Sequence, residues 1–217
     1  MTNAELWANL KIAIDQQSPD INEDEASFFL NLAQLMLGHQ WADGYDTNEK
    51  HRYDLEPLLV KGTAAAAFIP SSSITGLFRI LERFSGVFTF TDCNGNQSTI
   101  TRPIVRLHSV NSDVAQHRDP FNKPSNEYPF WETDVVSNVS GISILSDSAP
   151  SAVTFYYIKR PTDIDVLNAP NATVELADRT GMEIVNKAME LVLLPLRDLQ
   201  TWQAKIAENG GFDRFSK

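Results

Sequence analysis

Apolar residues recur every three or four positions in the first third of the chain, which is the spacing of one face of an α-helix. A first helix is expected after Thr2 or Asn3, either of which can cap it. Its apolar stripe consists of Leu6, Trp7, Leu10 and Ile14. The sequence Ser18-Pro19-Asp20 is typical of a helix end.

A second helix is expected to start near Asn22, because three acidic residues follow where the helix dipole favours negative charge. Its predicted buried stripe consists of Phe28, Phe29, Leu32, Leu35 and Met36, and continues past Gly38 to Trp41 and Tyr45. A short segment over residues 54–60 leads to a turn at Gly62. Residues 1–62 are therefore predicted to be helical.

From about Phe68 the composition becomes typical of strands, with Phe, Val, Ile and Thr prominent over residues 77–91 and again over 98–107. Between these runs, Asn94-Gly95 tolerates the positive φ of a tight hairpin turn. Two further strands are expected at 141–145 and 152–158, joined through residues 146–150. Because hairpins rather than crossover helices join these strands, the central sheet is expected to be antiparallel.

Residues 109–139 have no clear period and contain three closely spaced prolines. An irregular, proline-rich loop of this length inside a compact domain commonly carries function or forms an interface. Its aromatic residues are Phe121, Tyr128, Phe130 and Trp131. They are candidates for contacts with another subunit, and the alternative is that they cover the core of their own domain.

Helical spacing returns over residues 173–209. Asp178 is expected to cap a helix with Met182, Val185, Ala188, Met189 and Val192 on one face. Pro195 should kink or end that helix. A further helix then carries Leu199, Trp202 and Ile206 and stops at Gly210-Gly211. The chain is thus predicted to be a single α+β domain over residues 1–217, with residues 68–160 mainly β between two helical parts.

The composition is ordinary for a globular protein of 217 residues, with 42% hydrophobic and 21% charged residues. The net charge is −10, and the first 60 residues contain eleven acidic residues against three basic ones. Such a surface repels phosphate backbones, so specific nucleic-acid binding is not expected. The acidic residues are either a solvated helix face or a surface that DNA passes without adhering.

No motif has the spacing that a catalytic or cofactor site requires: glycine-rich phosphate loops, paired cysteines and the His pair of zinc proteases are all missing. No cofactor or metal is therefore expected. A divalent metal could be held by His108, Asp113, His117 and Asp119, but exposed loop histidines are the simpler interpretation. The same interpretation applies to His39 and His51, which lie near Asp43 and Asp46.

Cys93 is the only cysteine, so no intrachain disulfide can form, and its neighbours supply no positive charge to activate the thiol. The first residues lack the basic and apolar regions of a signal peptide. No apolar run approaches the roughly 20 residues of a membrane helix. We therefore expect synthesis in a cytosol and no membrane contact.

Three stretches are informative together. The first runs from Phe28-Phe29-Leu30-Asn31-Leu32-Ala33-Gln34 through Trp41, Tyr45, Asp46 and Glu49 to Asp54-Leu55-Glu56-Pro57-Leu58-Leu59-Val60. The second is Phe155-Tyr156-Tyr157-Ile158-Lys159-Arg160-Pro161, and the third is Val174-Glu175-Leu176 followed by Glu183-Ile184-Val185-Asn186-Lys187-Ala188-Met189-Glu190-Leu191. In order and separation they resemble the neck, or ring, proteins of tailed bacteriophages, especially the crAss-like and related Bacteroidetes-infecting groups. The chain departs from that pattern at Ala177, where proline is frequent, and in continuing past Pro195 into a Trp-bearing helix.

The resemblance implies a non-enzymatic virion protein, assembled in the host bacterial cytoplasm, that forms a ring of about twelve copies in a heterologous interface. The ring would connect portal and tail, contact the portal and other neck or tail proteins, and let DNA pass without specific binding. Its candidate channel-facing residues are Glu23, Asp24, Glu25, Asp43 and Asp46, and its candidate interface residues are Phe121, Tyr128, Phe130, Trp131 and Trp202. The alternatives are a tail hub, tail-completion or capsid-decoration protein and, in another class, a metal-dependent hydrolase.

Overall fold

The computed structural model describes residues 1–15, 21–107 and 123–208, with side chains described except at Asp15, Asp178 and 195–208. The described residues combine helices with a curled seven-stranded sheet, which confirms the α+β class. They form two compact units. The helical unit comprises Met1–Pro57 and Pro161–Lys217, and the sheet unit comprises Leu58–Arg160.

In its described part, the helical unit contains the α-helices α1 (Asn3–Asp15), α2 (Glu23–Asp43), α3 (Glu49–Leu55) and α4 (Gly181–Glu208). At α1, the Thr2 hydroxyl accepts the N–H of Glu5, and the Glu5 carboxylate accepts the N–H of Thr2. Asn22 and Glu25 form the same reciprocal pair at the start of α2. The predicted starts of both helices are confirmed.

The buried face of α2 differs in part from the predicted one, although Trp41 and Tyr45 are buried as predicted. Phe28, Leu32 and Met36 are exposed, so their assignment to a buried stripe was wrong. The buried positions are Ala26, Leu30, Ala33, Gln34, Gly38, Trp41 and Ala42. Several of these are small, and small side chains let a neighbouring helix approach closely. Here α4 packs against α2.

The last helix also differs from its prediction. α4 continues through Pro195, so the prediction of two helices separated there was wrong. It begins at Gly181 after a 3₁₀ turn over Asp178–Thr180, and Met182 is exposed rather than part of the buried face. Proline removes one hydrogen bond from a helix interior. α4 nevertheless continues past this position as one helix of 28 residues. No helix in the described parts of the chain is long and apolar enough to cross a membrane.

The sheet unit contains β1 (Leu59–Ala64), β2 (Phe68–Pro70), β3 (Leu77–Thr91), β4 (Gln97–Arg106), β5 (Phe130–Val136), β6 (Val139–Leu145) and β7 (Ala152–Lys159). Their order across the sheet is β1-β7-β3-β4-β5-β6-β2. Only residues 65–67 join β1 to β2, although these strands lie at opposite ends of that order. Such a link spans at most about 14 Å, so the sheet must curl until its two ends approach each other.

Neighbouring strands are antiparallel except β4 and β5, which pair in parallel at Val105–Phe130 and Arg106–Trp131. The prediction of an antiparallel sheet was therefore wrong for this pair. The connection between β4 and β5 is long enough for the chain to return and run in the same direction. β6 and β7 are consecutive in sequence but not adjacent in the sheet, so no hairpin joins them.

Two predicted boundaries also change. Residues 59–62 belong to β1 rather than to a helical segment, and residues 130–139 belong to β5, β6 and their turn rather than to an irregular loop. That turn has positive φ at both Ser137 and Asn138, 51° and 64°, as in a type I′ hairpin. Neither residue is glycine, so the sequence carries only a weak turn signal there. Residues 109–122 of the predicted loop lie outside the described residues.

β3 and β4 are antiparallel neighbours, and residues 92–96 join them. The N–H of Asp92 donates to the carbonyl of Asn96, and Gly95 has a positive φ of 83°. The Asp92 carboxylate accepts hydrogen bonds from the side chain and the N–H of Asn96 and from the N–H of Asn94. These bonds lower the pKa of Asp92 below its ordinary value.

The interior of the curled sheet is one apolar cluster with contributions from β2 to β7. Its members are Ile69, Ile74, Phe84, Phe88, Ile104, Trp131, Ile142, Ile144, Val153, Phe155 and Tyr157. The Phe84 ring stacks on Trp131 with a centroid separation of 4.5 Å and on Phe155 with 5.7 Å. Because strands distant in sequence meet in this cluster, it holds the sheet unit together.

We expect Phe88→Ala to lower the free energy of unfolding by about 3–5 kcal/mol, because it opens a cavity in this cluster. Urea unfolding followed by circular dichroism measures the change. Tyr128→Ala is the matched control, since Tyr128 is 69% exposed and its removal should cost within about 0.5 kcal/mol. Equal losses in the two variants would contradict the assigned core.

Candidate interaction surfaces

One face of α2 carries polar side chains that hold an extended segment of the chain after Pro161. Asn31 binds the backbone of Ile164 twice: Oδ1 accepts its N–H at 2.7 Å and Nδ2 donates to its carbonyl at 2.8 Å. Gln34 Nε2 donates to the carbonyl of Thr162 at 3.1 Å. Asn31 and Gln34 are three positions apart and lie on one face of α2, whereas the backbone groups they bind, at Thr162 and Ile164, are two positions apart as along a strand. The side chains of α2 therefore take the place of a neighbouring strand as hydrogen-bond partners of this backbone.

Other side chains continue the same attachment. The Ser27 hydroxyl accepts the N–H of Val166 at 3.0 Å. Asn3 is buried at the start of α1 and donates from Nδ2 to the carbonyl of Asp165 at 3.1 Å. The Asp165 carboxylate accepts the N–H of Asn168, which lowers its pKa. The segment is therefore fixed to two helices by hydrogen bonds to its backbone.

A buried carboxylate joins α3 to the 3₁₀ turn before α4. Asp54 is fully buried, and Nε of Arg179 donates to its Oδ1 at 2.6 Å. The Arg179 guanidinium also donates to the carbonyl of Lys50 and lies 6.0 Å from the centre of the Tyr53 ring. The Lys50 ammonium donates to the Glu183 carboxylate at 2.7 Å, which raises the pKa of Lys50.

These contacts involve residues of the three sequence stretches that were described together above. Asn31 and Gln34 belong to the first stretch, and the segment they hold begins directly after Pro161, where the second stretch ends. Asp54, also in the first stretch, pairs with Arg179, which lies between the two parts of the third. Residues far apart in sequence are thus connected inside the helical unit.

A different face of α2 carries an exposed apolar row, defined as Phe28, Leu32 and Met36. Their exposed fractions are 62%, 36% and 43%. The four-residue spacing places them in line over about 12 Å. The ring of Phe29 contacts that of Phe28 edge to face, with centroids 5.4 Å apart. These three side chains make this face of α2 a candidate interaction site.

The acidic residues predicted to face a channel are exposed at the two ends of α2. Glu23, Asp24 and Glu25 form its first turn, Asp43 is its last residue, and Asp46 follows. The two groups are separated by the length of the helix, roughly 30 Å, so they do not form one patch. Glu25 also belongs to the capping pair at the N-terminus.

The candidate interface residues lie in different environments. Trp131 is only 2% exposed within the core of the sheet unit, so it offers no surface to a neighbouring subunit. The prediction that Trp131 is an interface residue was therefore wrong. Phe130 is half-buried, whereas Tyr128 is exposed. Phe121 lies outside the described residues, and Trp202 lies on α4 with only its backbone described.

An apolar surface at the tip of the β5–β6 hairpin was not predicted from the sequence. Val135, Val136 and Val139 are exposed there around the Ser137-Asn138 turn. The available signal was the β-branched composition of residues 133–139, which indicates strand rather than irregular structure. Val135 and Val136 precede the turn and Val139 follows it, so a short hairpin presents all three.

No group of three His, Cys, Asp or Glu side chains that could hold a metal ion occurs within residues 1–15, 21–107 and 123–208. The metal-site candidates His108, Asp113, His117 and Asp119 lie outside those ranges. His51 Nε2 lies 3.3 Å from Nδ2 of Asn48, and the thiol of Cys93 is exposed. The metal hypothesis therefore stays a prediction.

Comparisons with known proteins do not identify a family. A scan against models of known families finds no match, and a search of curated proteins finds none. The contacts and exposed surfaces of the chain itself are therefore the basis for a functional proposal.

Arg179→Met is expected to lower the free energy of unfolding by about 2–4 kcal/mol, because it leaves the buried Asp54 carboxylate without its partner. Lys187→Met is the control: it breaks the exposed pair between Lys187 and Glu190 and should cost within about 0.5 kcal/mol. Chemical unfolding measures both. The double variant Asp54→Leu/Arg179→Met should regain part of the loss, and no difference between the single variants would contradict the assigned role.

Asn31→Leu should expose the Ile164 amide to faster hydrogen exchange and lower the free energy of unfolding by about 2–4 kcal/mol, because a donor and an acceptor lose their partners. Hydrogen–deuterium exchange read by mass spectrometry reports the amide directly. Gln40→Leu introduces the same apolar side chain at an exposed position of α2 and should leave this protection unchanged. Unaltered exchange in Asn31→Leu would show that the segment is held in another way.

Proposed function

We propose that this chain is a non-enzymatic structural protein of a bacteriophage virion, assembled in the bacterial cytoplasm, which forms a ring in the neck between portal and tail. The class of protein is inferred from the three sequence stretches, whose order and separation resemble those of phage neck proteins. The structural observation that supports an assembling subunit most directly is the exposed apolar row of α2. A helix on the surface of a protein that acts alone normally presents polar residues on its outer face.

A ring subunit needs several separate contact surfaces. Ring closure joins one patch of a copy to a different patch of the next, and stacking against portal or tail proteins requires further surface. The helical unit offers the apolar row, and the sheet unit offers the valine hairpin tip and Tyr128. More than one exposed apolar surface favours such an assembly over a simple two-fold dimer.

The charge distribution supports passage of DNA through the ring. The sequence of the helical unit contains 20 acidic and nine basic residues, whereas that of the sheet unit contains eight and nine. Acidic residues on a channel wall repel DNA phosphates and let the duplex slide. Because the acidic groups at the two ends of α2 are about 30 Å apart, an α2 lying along the wall would present both.

Native mass spectrometry of the purified chain is expected to give a closed assembly of about twelve 24.3 kDa subunits. Leu32→Glu places a charge in the middle of the apolar row and should reduce the assembled fraction at least about tenfold, since an unpaired charge is costly in an apolar contact. Circular dichroism should show an unchanged fold, because Leu32 is not part of the core.

Ile12→Glu is the matched control, because Ile12 is a 66% exposed apolar residue on α1 outside the row. It should assemble like the unchanged chain. Proteomics and cryo-electron microscopy of the virion test the location in the neck. A strictly monomeric chain that is absent from purified particles would contradict the proposal.

A further inference from the structure

α4 extends well beyond its last buried residue among those with described side chains. Its buried apolar side chains run from Ile184 to Val192, and Leu194 is 56% exposed. The helix continues to Glu208, sixteen residues past Val192, which corresponds to about 24 Å. In the sequence, the large apolar residues within 195–208 recur every three or four positions, which is the spacing of one face of a helix. They are Leu196, Leu199, Trp202 and Ile206.

We propose that residues 195–208 of one copy, the α4 extension, dock on the apolar row of α2 in the next copy. The inference rests on the proposed ring and names its head-to-tail contact. It joins two different surfaces of the chain, as a closed ring requires. The row extends over nine residues of α2 and the apolar positions of the α4 extension over eleven, so the lengths match to within about 3 Å.

The α4 of the same chain cannot cover the row. α4 already packs against α2, whose buried face includes Leu30 and Ala33. At 100° per residue, the row lies roughly 140° around α2 from these buried positions. A continuous helix that packs on one side cannot also reach the other, and the described residues of the same chain leave the row exposed. We therefore take the covering helix from another copy.

A second α2 is disfavoured as the occupant by its charge. α2 contains four acidic residues and no Lys or Arg, and these acids stand at both ends of the row. Because both ends of α2 are acidic, two α2 helices would bring like charges together whether they paired in parallel or antiparallel, and this repulsion disfavours the pair. The α4 extension carries Arg197 and Lys205 against Asp198 and Glu208, so it approaches an acidic helix without net repulsion.

Cross-linking between two separately purified variants tests the contact in the full-length chain. Both carry Cys93→Ser, which removes the exposed native thiol. One carries Leu32→Cys in the row, and the other carries Gln203→Cys, which helical periodicity places on the apolar side of the α4 extension. After mixing and mild oxidation, we expect a disulfide-linked pair containing one chain of each kind, identified by peptide mass. Such a bond forms only when the two Cβ atoms come within about 4.5 Å.

Ala204→Cys is the control, because it lies one residue further along on the opposite side of the α4 extension. Its yield with Leu32→Cys should be at least about tenfold lower. Equal yields, or no product from Gln203→Cys, overturn the proposed docking. If the unchanged chain forms a ring but this cross-link does not form, the proposed ring is supported and the contact between its copies lies elsewhere. If the cross-link forms but no ring is found, the proposed contact is supported and the proposed ring is contradicted.

Discussion

The extended segment after Pro161 lies outside the sheet, so its backbone N–H and C=O groups need partners other than a neighbouring strand. α2 supplies them from Ser27, Asn31 and Gln34. The segment leads to the turn at Arg179 and so to the start of α4. The buried Asp54 carboxylate holds that turn through its pair with Arg179, so contacts from both α2 and α3 position the chain ahead of α4.

The surface of α2 thus has three faces that make different contacts. A polar face binds extended backbone, and a face of small residues admits α4. The third face carries Phe28, Leu32 and Met36, which are large and apolar yet exposed. Three large apolar side chains of the helix are thus exposed rather than packed against the described part of the chain, and this placement gives the helix a surface for another molecule.

Features set by local interactions could be predicted from the sequence, whereas features set by distant contacts could not. The starts of α1 and α2 depend on caps within three residues, so Thr2 and Asn22 indicate them. The buried side of α2 depends on residues more than 120 positions away, and the spacing of apolar residues alone placed Phe28, Leu32 and Met36 on it wrongly. The parallel pairing of β4 with β5 likewise joins residues 25 positions apart, such as Val105 and Phe130. Among the candidate interface residues, aromatic character did not distinguish buried Trp131 from exposed Tyr128.

In the proposed ring, apolar association and acidic repulsion act on the same helix. Copies with a strongly negative helical unit repel each other, so contacts between them must come from apolar surface rather than from charge pairs. If the row of α2 makes those contacts, each copy adds its α2 acids at a fixed radius and spacing. Charges that are scattered on a single chain then become closed rings of negative charge. Formation of the channel wall would follow directly from subunit association, without any further rearrangement of the chain.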